Sequence, residues 1–355
     1  MSLYKIIVFL LIALSSMLSC RLVQAQNSPH SVFNSWELQE LLHGGRFDAL
    51  AYLGNDVVVM GSRGENKGHL FRSTDLGENW VKIPDFTKDE ITCIASGGEG
   101  LVYLLTGKSN FYRSEDYGEN WKLLGKLSNN SNYKNFQLSY GILVTDHGTV
   151  LVSDTESSGG HIYRSVDKGE SWVDLGSISE KSLYRFERTG NGILVNGWKG
   201  TVYKSQDDGK SWTKTQNLSN SPLYATEYLG THVALQATED GKVFVSNNLG
   251  ESWQKMEIQT EAADDFVKIG TGAALLTTYT GEKNMYLSLD YGRSWENIGK
   301  VNPNVEKDWL DHVIYIDKPD KVVIIGGTNQ GFAVRAEVNS CLLYTSPSPR
   351  DRTRS

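Results

Sequence analysis

The feature that most constrains the fold is a short motif, Ser-x-Asp-x-Gly-x-x-Trp, which occurs six times. Its serines are spaced 41, 51, 40, 41 and 42 residues apart. A repeat period near 40 residues, with short strands between turns, is the size of one four-stranded propeller blade. The motif therefore predicts an all-β chain. Its residues are Ser73, Asp75, Gly77, Trp80, Ser114, Asp116, Gly118, Trp121, Ser165, Asp167, Gly169, Trp172, Ser205, Asp207, Gly209, Trp212, Ser246, Asn248, Gly250, Trp253, Ser288, Asp290, Gly292 and Trp295.

The chemistry of the motif predicts the tip of a hairpin. A short Asp side chain, or Asn248 in the fifth copy, can accept hydrogen bonds from turn amides, and the Ser hydroxyl can do the same more weakly. Gly takes the left-handed conformation that other residues resist. Trp buries a large face between neighbouring sheets. Because one turn is repeated six times, we interpret these residues as structural, with no catalytic or metal-binding role.

The motifs account for six blades, and the two ends of the chain supply a seventh. Residues 309–316, 321–325 and 331–338 are three further strands, but Ala336 stands where the motif has Ser, and no fourth strand follows. Trp36 precedes Trp80 by 44 residues, one period, and its flanking residues match the motif exits. We therefore predict one domain, residues 36–340: a seven-bladed β-propeller of four-stranded antiparallel blades, closed by the N-terminal strand around Trp36. Such closure leaves no exposed sheet edge.

The repeat resembles the Asp-box, or bacterial neuraminidase repeat (BNR), family. That resemblance covers residues 36–340 and implies that each box joins the third and fourth strands of a blade, away from the ligand face. In size and architecture the chain is similar to the photosystem II assembly and stability factor-like single propellers of the sialidase-like superfamily. This likeness implies an exported scaffold that binds a protein partner.

The first 25 residues have the pattern of a signal peptide. Lys5 precedes an apolar run, residues 6–14, which is too short to span a bilayer, and Val23-Gln24-Ala25 is a small-residue cleavage pattern. We expect cleavage near Ala25, a short leader over residues 26–35, and a secreted, periplasmic or cell-surface protein. An alternative is a lipoprotein anchored through Cys20.

Residues 341–355 resemble a translated sequencing-library adapter, and we expect them not to be native. They and residues 1–25 hold five of the 35 Lys and Arg and one of the 42 Asp and Glu, so the net charge moves from −7 to −11. An acidic body disfavours nucleic acid as a partner. Cys93 is then the one cysteine left, which excludes an intrachain disulfide. No metal-ligand spacing or phosphate loop occurs, so we predict no metal, no cofactor and a monomer.

The strand order of a propeller places the loops before the inner strands, and those between the second and third strands, on one face. Functional residues should lie there, on loops over a rigid scaffold. We expect a protein or a carbohydrate to bind this face. The candidates are Arg46, Tyr184, Arg185, Trp198, Lys199, Asp264, Asp265, Trp309 and His312.

Sialidase chemistry is not favoured by these residues. Sialidases of this family hold the substrate carboxylate with three arginines, the first in an Arg-Ile-Pro strand, whereas residues 45–48 here are Gly-Arg-Phe-Asp. Related xyloglucanases use two propellers, and sortilin-type receptors use about ten blades. We therefore predict a non-catalytic binding propeller. The alternative is a glycosidase that acts through two of Asp48, Asp264, Asp265 and Asp311, facing each other about 5–10 Å apart.

Overall fold

The computed structural model describes residues 33, 36–43, 45–64, 68–84, 86–127, 141–156, 159–301, 308–318 and 321–338. These residues form 28 β-strands in seven four-stranded sheets, with one short 3-10 turn at Trp198–Gly200. All pairing is antiparallel, which confirms the seven-bladed propeller. The predicted signal peptide, Cys20, most of the leader and the adapter-like tail lie outside the described residues.

The first four blades follow one another along the chain, each running from its inner to its outer strand. Blade 1 contains β2 (Arg46–Gly54), β3 (Val57–Arg63), β4 (Leu70–Ser73) and β5 (Val81–Ile83). Blade 2 contains β6 (Ile91–Gly98), β7 (Leu101–Thr106), β8 (Asn110–Ser114) and β9 (Lys122–Lys126). Blade 3 contains β10 (Ile142–Val144), β11 (Val150–Glu156), β12 (Gly159–Ser165) and β13 (Val173–Ser179). Blade 4 contains β14 (Leu183–Thr189), β15 (Gly192–Gly197), β16 (Thr201–Ser205) and β17 (Thr213–Asn217).

The last three blades include the one that draws on both ends of the described chain. Blade 5 contains β18 (Leu223–Gly230), β19 (Val233–Thr238), β20 (Lys242–Ser246) and β21 (Gln254–Gln259). Blade 6 contains β22 (Ala263–Gly270), β23 (Ala273–Thr278), β24 (Met285–Ser288) and β25 (Glu296–Gly299). Blade 7 contains β26 (Leu310–Asp317), β27 (Val322–Thr328), β28 (Phe332–Glu337) and β1 (Glu37–Glu40).

The second strand of each blade lies at the centre of the packing. β19, β23 and β27 are buried at every position, because neighbouring blades cover both faces of the sheet. Their sequences are accordingly continuous apolar runs, such as Val322–Thr328, whose first four residues are Val-Val-Ile-Ile. The core is therefore a ring of inter-blade layers, and each outer strand is largely exposed.

Each Asp-box turn is held by the same three hydrogen bonds. In the second copy the Ser114 hydroxyl donates to Asp116 at 2.7 Å and accepts from the Gly118 amide at 3.0 Å, while Asp116 accepts from the Asn120 amide at 2.9 Å. Gly118 has a φ of 75°, the left-handed region expected of it. The other five copies repeat these contacts, and Asn248 replaces Asp without loss of the acceptor. The boxes are therefore hydrogen-bonded turns between the third and fourth strands of their blades.

The ring closes as expected, through the N-terminal strand. β1 pairs with β28 in antiparallel register from Glu37 opposite Arg335 to Glu40 opposite Phe332. Trp36 packs against the apolar layer between blades 6 and 7, with its ring 5.4 Å from that of Phe33. Blade 7 thus obtains its fourth strand from the start of the chain.

Arginines just before the box position tie blades to their neighbours, and we call these contacts the arginine ties. Each guanidinium donates to the carbonyl of the residue between Asp and Gly in the next blade's box, a residue with a φ of 57° to 61°. The ties run from Arg335 to Leu76, Arg72 to Tyr117, Arg113 to Lys168 and Arg164 to Asp208, at 2.8–3.2 Å. They link blades 7, 1, 2, 3 and 4 in order. Ala336 replaces the box Ser of blade 7, yet its arginine remains.

Candidate functional site

Six of the seven inner strands begin with a β-bulge, at the end of the propeller opposite the boxes. In five of them the register with the second strand skips one residue, and in β14 it skips two, Tyr184 and Arg185. Bulges re-aim side chains and often occur beside functional sites. Here they turn a polar or aromatic group toward the mouth of the central channel. We call these residues the bulge ring: Asp48, Thr92, Tyr184, Arg185, Tyr224, Asp264 and Asp311.

Arg46 connects the acidic residues of blades 1 and 7. Its guanidinium pairs with Asp48 and, at 2.9 Å, with Asp311. Arg63 pairs with the other oxygen of Asp48 at 2.6 Å, and the Trp309 indole N–H donates to Asp311 at 2.7 Å. The Arg46 guanidinium also lies 5.9 Å from the centre of the Trp309 ring. Both carboxylates are buried, and both are paired with cations.

A second ion pair crosses the channel from blade 4 to blade 6. Arg185 pairs with one oxygen of Asp265, and His312 lies 2.9 Å from the other, which also accepts the Val313 amide at 3.2 Å. Asp265 is 1% exposed. Burial raises the pKa of this carboxyl, but the charges of Arg185 and His312 outweigh burial and hold it below its usual value. Asp265 is therefore an anion that fixes Arg185 in the channel mouth.

Two acids at the mouth have a raised pKa: Asp264, and the Asp311 carboxyl that pairs with Arg46. Burial raises the pKa of Asp264 to about 7, with Asp265 and Asp48 adding to the shift and Arg46 and Arg185 opposing it. Burial and the charges of Asp48 and Asp264 raise the pKa of Asp311 well above its usual value. One oxygen of each of these two carboxyls has no hydrogen-bond partner among the described residues. The mouth thus holds more acids than its arginines neutralise.

Four aromatic side chains from consecutive blades border the mouth, and we call them the aromatic arc: Tyr184, Tyr224, Tyr279 and Trp309. The rings of Tyr184 and Tyr224 lie 5.1 Å apart, nearly perpendicular, and those of Tyr279 and Trp309 lie 6.3 Å apart. Tyr184 is buried, while the other three rings of the arc are half-buried. The Tyr279 hydroxyl donates to Glu239 at 3.1 Å. The arc presents flat apolar area with polar edges.

A cavity of about 390 Å³ occupies the channel, and its lining includes Asp48, Arg185 and Asp265 of the mouth together with two further acids. The Glu187 carboxylate faces the Tyr228 amide of the next blade, and the Glu227 carboxylate faces the Lys268 amide of the blade after that, and each amide lowers the pKa of the carboxyl that it faces. Burial raises the pKa of Glu187 to about 8, and burial and the charge of Glu187 raise that of Glu227. Together with the bond from Val313 to Asp265, these carboxylate ties link blades 4, 5, 6 and 7.

The candidate residues fall into two groups in space. Arg46, Arg185, Asp264, Asp265, Trp309 and His312 surround the channel mouth, with Tyr184 buried behind them. Trp198 and Lys199 line a separate cavity at the rim, between the outer parts of blades 3 and 4.

Sequence reasoning missed Arg63, Tyr224, Tyr279, Glu187, Glu227 and Glu239. A signal for one of them was present. Leu183-Tyr184 and Leu223-Tyr224 occupy the same position in consecutive blades, and Leu310-Asp311 repeats the position with an acid. Aligning the blades on their first inner-strand residue would have found Tyr224.

The described part of the chain has neither a cluster of metal-ligating side chains nor a membrane-spanning helix. No group of three or more His, Cys, Asp and Glu side chains there is arranged to hold a metal ion. In the same residues, no helix has the length and apolar character needed to cross a membrane.

Comparison with known proteins gives two family matches and many structural ones. The family model "BNR-Asp box repeat" matches residues 111–124, and the Sortilin-Vps10 model, described as "Sortilin, neurotensin receptor 3", matches residues 200–346. No curated protein matches the chain.

Three solved structures illustrate the likeness of fold. YCF48 bound to D1 peptide is 16% identical, with a TM-score of 0.63, over 85% of this chain and 96% of that one. YCF48 from Cyanidioschyzon merolae is 15% identical, with a TM-score of 0.64, over 85% and 98%. A catalytically inactive virginiamycin B lyase from Staphylococcus aureus with quinupristin is 11% identical, with a TM-score of 0.69, over 86% and 100%.

Similar propellers thus include a peptide-bound protein and a lyase, so the fold alone does not select a function. The seven four-stranded sheets define the architecture, and the Asp boxes define the repeat. The chain is a seven-bladed β-propeller that carries a BNR-Asp box repeat.

Proposed function

We propose that this protein is a non-catalytic scaffold that binds a protein partner on the face formed by the bulge ring and the aromatic arc. The observation that carries the proposal is the arc itself, which places Tyr224, Tyr279 and Trp309, half-buried, beside Arg46 and Arg185. Tyr, Trp and Arg are the residue types that anchor protein interfaces, because each combines a rigid flat surface with a polar group.

The pairing of the acids also supports binding over hydrolysis. A glycosidase needs one carboxylic acid and one carboxylate free to approach the sugar from opposite sides. Asp48 is held by Arg46 and Arg63, and Asp265 by Arg185 and His312. These two anions are therefore engaged by cations of the protein itself. The peptide bound to YCF48 offers a precedent within the fold for a peptide partner.

Partner capture from an envelope fraction tests the proposal. Trp309→Ala removes the half-buried indole at one end of the arc, and Tyr279→Phe removes only the hydroxyl that contacts Glu239. We expect a partner captured by the wild type to be lost with Trp309→Ala and kept with Tyr279→Phe and with Trp198→Ala, which changes an exposed Trp on the rim. Equal capture by the wild type and all three variants would contradict a partner site at the channel mouth.

A glycosidase is the second candidate, and one observation favours it. The pKa of Asp264 is raised to about 7 while that of Asp265 is lowered, and neighbouring acids with pKa values pushed apart are the usual pattern of an acid–base pair. A screen against sialosides and plant or bacterial glycans decides between the candidates. Turnover that disappears in both Asp264→Asn and Asp265→Asn would establish the enzyme.

We also propose that the protein acts outside the cytoplasm, on the strength of the signal-peptide pattern in residues 1–25. Expression of the full chain with its own leader, followed by N-terminal sequencing and intact mass, tests this. A mature chain that begins at Gln26 supports secretion. One that begins at a lipid-modified Cys20 supports membrane anchoring, and an uncleaved cytoplasmic chain contradicts both.

A further inference from the structure

A second cavity, of about 460 Å³, lies at the rim of the same face, away from the channel. It is formed by the end of β13 and the following residues on one side, and by β16, β17 and the turn Trp198–Gly200 on the other. None of the residues assigned above to the partner-binding face lines it. Its volume falls within the range of small-molecule sites, which is roughly 300–1,000 Å³.

The backbone of Trp198 is fixed at the edge of this cavity, and its side chain is exposed. Its amide donates to the Ser182 carbonyl at 2.9 Å, and its carbonyl accepts the Thr201 hydroxyl at 3.2 Å. Gly200 has a φ of 66°, and a Cβ there would lie 2.4 Å from the Ser219 amide, so the turn is fixed from both sides. Even so, 37% of Trp198 is exposed. A large aromatic ring is therefore presented to solvent by a preorganised turn.

The charges around Trp198 are opposite in sign to those of the protein as a whole. Lys181, Lys199 and Lys214 line the cavity with a single acid, Glu180, although the chain carries a net charge of −7. All three lysines are exposed, and within the described part of the chain none of them has a carboxylate partner. Unpaired cations in an acidic protein attract anions to one place.

Several of the remaining lining groups are short and polar. Ser177, Ser179 and Asn217 line the cavity, and the Asn217 side-chain amide lies 3.2 Å from the Thr201 hydroxyl. Amides and hydroxyls of this kind match the hydroxyl groups of a sugar. A pyranose also has a face of C–H bonds that packs on the negative face of an aromatic ring.

We propose that this cavity binds an anionic saccharide, with one sugar ring stacked on Trp198 and its carboxylate or sulfate contacted by Lys181, Lys199 and Lys214. The ring accounts for the exposed, fixed Trp198, and the acidic group accounts for the lysines. This site is independent of the partner-binding face and does not require the proposed function to be correct.

Titration calorimetry of the purified propeller tests the proposal with three tetrasaccharides of equal length. They are tetragalacturonic acid, its full methyl ester and a sulfated galactan tetrasaccharide. We expect one or both acidic sugars to bind, and the neutral ester to bind at least about tenfold more weakly, since a lost charge-assisted contact is worth about 1.4 kcal/mol or more. The two acidic sugars separate carboxylate from sulfate recognition.

Variants locate the binding. Trp198→Ala should abolish it, and Lys181→Gln with Lys214→Gln should weaken it about tenfold or more while leaving the stack intact. Trp309→Ala, on the channel mouth, should bind as the wild type does. Thermal melting of each variant checks that it folds.

Three results would overturn the proposal. They are no binding of either acidic sugar at millimolar concentration, equal binding of the ester, or binding unchanged in Trp198→Ala and in the double lysine variant. A tetra-aspartate peptide serves as a fourth titrant. Binding of this peptide as tight as that of the acidic sugars, and equally dependent on Lys181 and Lys214, would reassign the site to acidic peptides.

Discussion

At the scale of single residues, the Asp box satisfies its hydrogen bonds within one turn. Hydrogen bonds from the Ser171 hydroxyl and amide lower the pKa of Asp167 to about 2, although its carboxylate lies at the surface. The carboxylate is therefore ionised at all ordinary pH values, and its role is to fix the turn. The six boxes differ mainly in their variable positions, and the one between Asp and Gly is buried in three copies, as Leu76, Leu249 and Tyr291.

Replacement of a box aspartate tests this structural role. Asp116→Ala removes the acceptor of the Asn120 amide and the Ser114 hydroxyl, so we expect a loss of about 1–2 kcal/mol in the free energy of unfolding. Asp116→Asn should cost less, because Asn248 fills this position in the fifth box. Urea denaturation measures both. Equal losses in the two variants would show that charge, and not the acceptor, holds the turn.

Glu187 gives a pH dependence of known sign. Its pKa of about 8 in the folded protein lies above that of the unfolded chain, so the folded state binds more protons between about pH 4.5 and 8. This residue therefore lowers stability as pH rises through that window. Glu187→Gln keeps an acceptor for the Tyr228 amide and removes the charge. The melting temperature of the variant relative to that of the wild type should therefore rise from pH 5 to pH 8.5. Melting temperatures across that range measure it, and a constant difference would contradict the shift.

At the scale of strands, β1 carries little core of its own but completes blade 7. Its four residues are exposed, and its contacts with the layer beneath come through Trp36 at its start. Pairing with β28 covers an edge that would otherwise offer free amides and carbonyls to another chain. The strand thus contributes mainly by completing the sheet of blade 7, and little by burying apolar side chains of its own.

Trp36→Ala should weaken this closure. We expect a loss of about 1–3 kcal/mol in the free energy of unfolding, because a half-buried aromatic ring leaves the layer between blades 6 and 7. Leu38→Ala is the control, since Leu38 lies on the same strand but is exposed. Denaturation and light scattering measure stability and edge-to-edge association. A Trp36→Ala protein as stable as the control would mean that β1 pairing alone closes the ring.

Sequence reasoning was most reliable for strands and least so for the site. The repeat period near 40 residues and the motif-like strand at Trp36 predicted seven blades and the closure of the ring. The blade number and the closure could be predicted because both depend on local sequence patterns that repeat. The channel mouth depends on which side chains six bulges turn inward, and a bulge changes register without a distinct residue type. The pairing of Arg185 with Asp265 joins residues 80 positions apart and could not be read from either alone.

At the scale of the whole molecule, two kinds of polar contact join neighbouring blades, and each kind occurs at a different set of junctions. The arginine ties join blades 7, 1, 2, 3 and 4 near the boxes, and the carboxylate ties join blades 4, 5, 6 and 7 along the channel. Val245 and Leu287 occupy the arginine position in blades 5 and 6 and cannot donate. Each junction between blades therefore has a polar contact of one kind or the other.

Arg113→Met tests the arginine ties. The variant keeps most of the apolar stem but leaves the Lys168 carbonyl and the Glu170 carboxylate without this donor, so we expect a loss of about 1–3 kcal/mol. Arg293→Met is the control, because Arg293 contacts a carbonyl of its own box at the surface. Denaturant unfolding compares them. A loss no larger than that of the control would mean that apolar layers alone hold blades 2 and 3 together.

The pairing of β1 with β28 also fixes an order of events in time. Glu37 and Arg335, which contact each other at 3.2 Å, are 298 residues apart in the chain. Each box can form as soon as its own hairpin has emerged, but β1 cannot pair until β28 has been made. Until then blade 1 has no neighbour on one side, and β28 has a bare edge once it forms. The newly made chain is thus open to self-association until β1 and β28 have paired, and a chaperone that shields β1 up to that moment would protect it best.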